Sequence, residues 1–261
     1  MKFFRRRVRH AVVVGASSGV GKLVADALAD ERTAVSTVGR TRPERPEVWH
    51  HSCVDLAVLD WANFYSEAER RAEAPIDALI YVAGDAAFGR ASEVPETRAR
   101  LLFEANLWGP SRAATAAEQL WGAPRRGTFV SVSSISARRA VPFEAHYCAS
   151  KAACARFLEA LQLEHPDGRL RFVSVYPGRL QTSFRTKADW YGAPPDPAPE
   201  QGSNPAIVAN AILDILAGRT VLKVLGSRER AIDLADRVSP AIYDRLVLRR
   251  RVQKLLRTRA R

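Results

Sequence analysis

Between residues 11 and 225, short apolar runs alternate with longer segments whose apolar residues recur every three or four positions. The runs at 11–14, 34–38, 49–54, 76–82, 128–132, 171–176 and 220–224 predict strands, and the periodic segments at 20–30, 59–74, 97–120, 146–164 and 205–217 predict helices. Strand–helix alternation of this kind predicts an α/β fold, a doubly wound parallel sheet of about seven strands with helices on both faces. Residues 41–48 carry two prolines and are too short for a full helix, so that crossover is expected to be abbreviated. The proline-rich stretch 192–205 suits a stiff extended loop over a site. With no repeat and no linker, residues 1–261 read as a single Rossmann-type domain bearing a basic extension at 1–10 and a helical one at 240–261.

Composition narrows the class. The 261 residues, 47% hydrophobic and 26% charged, can fill one large core, which excludes a disordered chain. The longest stretch without Asp, Glu, Lys or Arg is thirteen residues, 201–213, short of the ~18 needed to cross a bilayer as a helix. The net charge of +12 sits at the ends: residues 1–10 and 245–261 hold thirteen Lys and Arg and no acid, leaving 27 bases against 28 acids between them. That placement argues against a nucleic-acid partner. The C-terminal segment could be a solvated tail, pack on a partner subunit, cover the cleft of its own chain or rest on an anionic membrane, with peripheral membrane contact not favoured. Cys53, Cys148 and Cys154 show no CxxC spacing, and the start carries no cleavable leader, so the thiols read as reduced in a cytoplasm. His50–His51 lacks a partner cluster and reads as surface, with no metal site expected.

The run GASSGVG places Gly15, Ser17, Ser18, Gly19, Val20 and Gly21 between a buried strand and an amphipathic helix. Backbone amides at such a helix start can face a pyrophosphate, and glycine permits the close approach. The alternative is a tight turn with no ligand. At the end of the second strand stands Arg40, with no acid there to hold ribose hydroxyls. A guanidinium can grip a 2′-phosphate through two charge-assisted hydrogen bonds, which points to NADP(H), while Arg40 and Arg42 could also simply solvate a turn.

Ser134 lies thirteen residues before Tyr147, and Lys151 four after it, on the same helical face. With GASSGVG, Asp55, Ala83–Gly84 in YVAG, Asn106 in FEANLWG, Ser134, YCASK, and Pro177–Gly178 with Thr182, the chain resembles the short-chain dehydrogenase/reductase family over nearly its whole length. The resemblance implies the strand order 3-2-1-4-5-6-7 and a catalytic set of Ser134, Tyr147, Lys151 and Asn106. It further implies that Val54 and Asp55 lie by the adenine, that Thr182 lies near the nicotinamide carboxamide, that Lys151 holds the nicotinamide ribose, and that Asn106 anchors a relay water. Ala83, Gly84, Pro177 and Gly178 complete the cofactor set. A homodimer or homotetramer is the family expectation.

Chemically, a nearby cation lowers a tyrosine's proton affinity, so Lys151 together with an oxidised nicotinamide is expected to ready Tyr147 as general acid or base. Val14, Tyr81 and Val82 depart from the family's polar residues, which predicts altered strand bracing. Phe88, Phe143, Glu144, Phe184, Trp190 and Tyr191 are the candidate substrate residues, with Asp85 and His146 as further polar candidates; the aromatics suggest a hydrophobic, aromatic or polycyclic small molecule. Three functions follow: an NADPH-dependent ketoreductase or alcohol dehydrogenase, a redox-neutral epimerase or dehydratase using NADP, or a non-catalytic NADP(H)-binding sensor or scaffold.

Overall fold

The computed structural model describes residues 8–43, 48–53, 55–192, 202–219 and 223–238. In chain order the strands are β1 (His10–Val14), β2 (Ala34–Gly39), β3 (Val48–Cys53), β4 (Ala78–Tyr81), β5 (Ala87–Gly89), β6 (Gly127–Val132), β7 (Leu170–Pro177), β8 (Asp189–Tyr191) and β9 (Val224–Leu225). The helices are α1 (Gly19–Asp30), α2 (Trp61–Ala72), α3 (Glu96–Phe103), α4 (Gly109–Leu120), α5 (Ala145–Glu164), α6 (Ala206–Leu216) and α7 (Ser227–Val238). A parallel seven-stranded sheet runs β3-β2-β1-β4-β6-β7-β9, the expected order once the two short strands β5 and β8 are set aside.

Every residue of β1 and of β6 is buried, because helices cover both faces of the sheet. On one face Val13, Ile80, Val130 and Val175 pack under Val20, Val24 and Leu28 of α1 and Val208, Ile212 and Ile215 of α6. On the other, Val12, Leu79, Phe129 and Phe172 meet Phe64 and Tyr65 of α2, Ala114 and Ala117 of α4, and Leu158 and Leu161 of α5. Asp60 starts α2 by accepting from the Asn63 amide at 3.0 Å. The Arg9 guanidinium grips Asp77 through two hydrogen bonds of 2.9 and 2.8 Å, fixing the entry to β1 beside β4.

Some elements differ from the sequence expectation. The helix expected at 97–120 is broken by a π turn over Glu104–Trp108, which shifts the face α4 presents. Helix α7, SRERAIDLADRV, lies outside the helices expected from the sequence because it is strongly polar on average, although Ile232, Ala235 and Val238 recur at helical spacing. Strands β5 and β8 pair with one another alone, too short to register as alternating patterns. His51, expected on the surface, is half-buried, with its Nδ1 2.7 Å from the Thr37 hydroxyl. Residues 44–47, the extensions at 1–7 and 240–261, residues 193–201 of the proline-rich stretch, and 220–222 of the last expected strand lie outside the described residues. No described helix is long and apolar enough to cross a membrane, and no cluster of metal-ligating side chains occurs among the described residues.

Trp121 is fully buried, donating Nε1 to the Ile76 carbonyl at 2.8 Å, and its ring occupies the space a Cβ at Gly127 would need. Gly127→Ala should therefore cost about 3 kcal/mol in urea-induced unfolding, because a held indole and a central strand cannot both give way. Gly122→Ala, whose Cβ would meet nothing nearer than the Gln119 carbonyl oxygen at 3.5 Å, should stay within about 0.5 kcal/mol of the parent.

Candidate active site

The site is built at the carboxyl edge of the sheet, where β1, β4, β6 and β7 end and their loops diverge. Gly15 leaves β1 at φ +87°, and a Cβ there would stand 2.9 Å from the Ala83 amide nitrogen. Gly21 lets α1 rest directly on the Gly15 carbonyl, with no room for a methyl group between them. Ser18 occupies the N-cap of α1 in extended conformation without a side-chain hydrogen bond, so its hydroxyl does not consume a first-turn amide. The result is a helix start with open anion-binding geometry.

A cleft of about 1280 Å³ runs from this turn across the sheet edge. Gly15, Ser17, Ser18, Gly19, Val20, Arg40, Asp55, Ala83, Gly84, Ser134, Tyr147, Lys151, Pro177, Gly178 and Thr182 all line it. Gly21 and Asn106 sit just behind the lining, and Val54 lies outside the described residues. A cleft lined by a helix start, by Arg40 and by buried Lys151 fits an anionic dinucleotide.

Tyr147 and Lys151 project from the first two turns of α5, both buried. The Lys151 Nζ donates to the Val132 carbonyl at 3.3 Å. A Cβ on Gly84 would lie 3.0 Å from that Nζ and 2.9 Å from the Asn106 Oδ1, so glycine is what admits both groups. Asn106, inside the π turn, brackets the loop after β4: Oδ1 accepts from the Asp85 amide at 3.0 Å, while Nδ2 donates to the Asp85 carbonyl at 2.8 Å and to the Ser150 hydroxyl at 3.1 Å. Ser134 caps the 3-10 turn Ile135–Ala137, its Oγ accepting from the Ser136 amide at 3.1 Å.

Burial pushes the Tyr147 phenol well above its ordinary range, and Glu144 adds to the rise; the Ser134 hydrogen bond and the Arg185 charge pull the other way. Among the protein groups alone, loss of water dominates at this phenol, and the Lys151 Nζ is turned to the Val132 carbonyl. Burial likewise lowers the lysine's proton affinity, with Cys154 and Asp85 opposing. Tyr147 is thus held as a neutral phenol, a state suited to donating a proton. Cys148 is buried with its thiol pushed up to about 11, which keeps it inert.

The substrate candidates divide. Glu144 and Phe184 line the cleft, whereas Phe88, Phe143, Trp190 and Tyr191 do not. Phe88 is fully buried behind Tyr147, their ring centroids 5.8 Å apart, and Trp190 packs on Phe88 at 4.8 Å. Tyr191 turns to Ala87, Val94 and Leu102, and Phe143 sits at φ +66° with its carbonyl accepting from the Gly89 amide at 2.8 Å. Pairing of β5 with β8 draws Phe88 and Trp190 into one small core and Tyr191 into another, a non-local event that residue type does not announce. Asp85 lines the cleft but is held by Arg98, which also reaches Asp189 at 2.5 Å; His146 lies outside the lining, 3.4 Å from the Ala91 carbonyl. Arg98, Ser136 and Ser150 escape a reading of the sequence, since their residue types carry no signal until the fold assembles them, and Arg185 lines the cleft beside Phe184.

A family model described as short chain dehydrogenase matches residues 9–190. Dehydrogenase/reductase SDR family member 7B of Rattus norvegicus is 28% identical over 280 residues, 97% of this chain and 82% of the rat protein. A 3-ketodihydrosphingosine reductase of Bacteroides thetaiotaomicron is 28% identical over 178 residues, 66% of this chain and 64% of its own length. The crystal structure of a short chain dehydrogenase from Burkholderia cenocepacia in complex with NADP is similar at a TM-score of 0.76 and 26% identity, covering 92% of this chain and 98% of that one.

Asn106→Ala removes every side-chain bond to the Asp85 backbone and leaves that amide and carbonyl without their partner. It should cost about 2 kcal/mol in urea unfolding. Hydrogen exchange at the Asp85 amide should accelerate in the variant; an unchanged rate would show that Asn106 does not hold the loop.

Proposed function

Because the chain belongs to the short-chain dehydrogenase/reductase family of oxidoreductases, we propose that it moves hydride between NADP(H) and the carbonyl or alcohol carbon of a hydrophobic small molecule. The observation that carries this reading is that one cleft joins the glycine turn to Tyr147, Lys151 and Ser134. The NADP complex of the Burkholderia relative supports the cofactor, and the name of the Bacteroides relative supports a lipid-like ketone.

In this reading the amides of residues 17–20 would hold the pyrophosphate, Arg40 the 2′-phosphate, and Asp55 the adenine edge. Thr182 would meet the carboxamide, and Lys151 the nicotinamide ribose. The nicotinamide, when bound, supplies or accepts the hydride. Tyr147 donates its phenolic proton to the carbonyl oxygen during reduction and takes it back during oxidation. Ser134 hydrogen-bonds the same oxygen and orients it. Asn106 acts one layer back: by fixing the Asp85 backbone it holds open the space beside Gly84 that Lys151 enters. The raised proton affinity of Tyr147 keeps the phenol protonated across neutral pH, the form that donates to a carbonyl oxygen.

With 9,10-phenanthrenequinone as an electrophilic carbonyl probe and lipid-like ketones beside it, NADPH oxidation should match product gaining two hydrogens. Tyr147→Phe should bind NADPH within about threefold of the parent and lose turnover by about 10³-fold; equal turnover in the variant would remove Tyr147 as donor. Arg40→Asp should weaken NADPH by about 100-fold while changing NADH little. A uniform loss for both cofactors would mean that Arg40 does not read the 2′-phosphate.

A further inference from the structure

Three residues before Tyr147, at the N-cap of α5, Glu144 is a carboxylate only 6% exposed. Its Oε2 accepts from the Ser136 hydroxyl at 3.1 Å and its Oε1 from the Arg185 Nη1 at 3.0 Å. Ser136 in turn donates its amide to the Ser134 Oγ, so the carboxylate reaches Ser134 through a single intervening residue. The Arg185 guanidinium lies over the Phe88 ring at 4.2 Å and near Trp190 at 5.5 Å, and Phe88 packs edge-on against Tyr147. One ion pair therefore joins the turn that presents Ser134, the helix that presents Tyr147, and the segment after β7 that carries Phe184.

A buried carboxylate is costly unless paired, and an apolar side chain of similar size would fill the site without that cost. With both oxygens already engaged inside the protein, substrate recognition is a poor account of Glu144. We propose instead that Glu144 and Arg185 are positioning residues, the carboxylate locking the Ser134 turn and the guanidinium offsetting the carboxylate's field at the Tyr147 hydroxyl. The catalytic part of this inference rests on Tyr147 as proton donor. The charged and titratable groups around the phenol are Glu144, Cys148 and Lys151 from its own helix and cap, Ser134 from the turn after β6, and Arg185 from the segment after β7; Phe88 and Phe184 supply apolar walls.

The signs follow from the charges. Removing the carboxylate should make the phenol easier to ionise, and removing the guanidinium should make it harder. The full chain, labelled with 13C at tyrosine Cζ, would be titrated with and without NADP+, the Tyr147 signal being the one missing from Tyr147→Phe. Glu144→Gln should lower the Tyr147 midpoint and Arg185→Met should raise it, each by about one pH unit, with the double variant returning close to the parent. Arg185→Lys should hold the parent midpoint, separating charge from ring stacking, and Arg185→Gln replaces Arg185→Met if that variant does not fold. With NADP+ bound, whose positive charge lowers the midpoint, equal midpoints or shifts of the same sign would overturn the proposal. A loss-free Tyr147→Phe turnover would instead strike the catalytic reading, leaving the ordering of midpoints to stand by itself.

Discussion

At the carboxyl edge of the sheet, backbone must come closer to its neighbours than any side chain would allow. Helix α1 rests on the Gly15 carbonyl across Gly21, and Lys151 and Asn106 close on the loop after β4 across Gly84. The first contact sets the helix start against the strand end, and the second sets the lysine and its bracket against the same floor. A methyl group in either place would move one half of the cleft away from the other. Packing of the two cores on either side of the sheet makes this precision possible, because α1 and α5 are each held along their length by apolar contacts far from the site.

The cleft is an electrostatic compromise as much as a packing one. Tyr147 and Lys151 are both buried, and burial drives each toward its neutral form, the phenol up and the ammonium down. Charges nearby are therefore tied up in pairs: Asp85 with Arg98, Glu144 with Arg185. Both pairs also join separate segments, since Arg98 bridges to Asp189 of β8 and Arg185 stacks on Phe88 of β5. The small β5–β8 sheet is thus coupled to the loop bearing Asp85 and to the cap of the helix bearing Tyr147. At Tyr81 the apolar departure from the family pattern is absorbed by packing: its ring joins Trp61 in the core and its hydroxyl abuts Gly109, where a Cβ would lie 2.5 Å away.

Much of this could be read from the chain. Strands β1 and β4 follow continuous apolar runs, and β2, β6 and β7 follow mainly apolar runs interrupted by Ser, Thr or Arg, as buried parallel strands do, while the spacing of Ser134, Tyr147 and Lys151 puts them on one turn and one helical face. The π turn was not legible, because a single extra residue in a helix leaves a three-to-four spacing nearly intact while rotating everything after it. Nor was the fate of the aromatics: Phe88 and Trp190 look like cleft residues until β5 and β8 pair across about a hundred residues and turn them into core.

What the sequence determined by itself was the class of fold, the glycine turn and the choice of candidate groups at the cleft, since these depend on local periodicity and on short spacings along one helix. Which charges neighbour Tyr147, whether its proton affinity rises or falls, and which aromatic rings face the cleft were decided by the tertiary structure. Burial and ion pairing arise from segments far apart in the chain, so only the folded arrangement of Ser134, Glu144, Tyr147 and Arg185 carries that information.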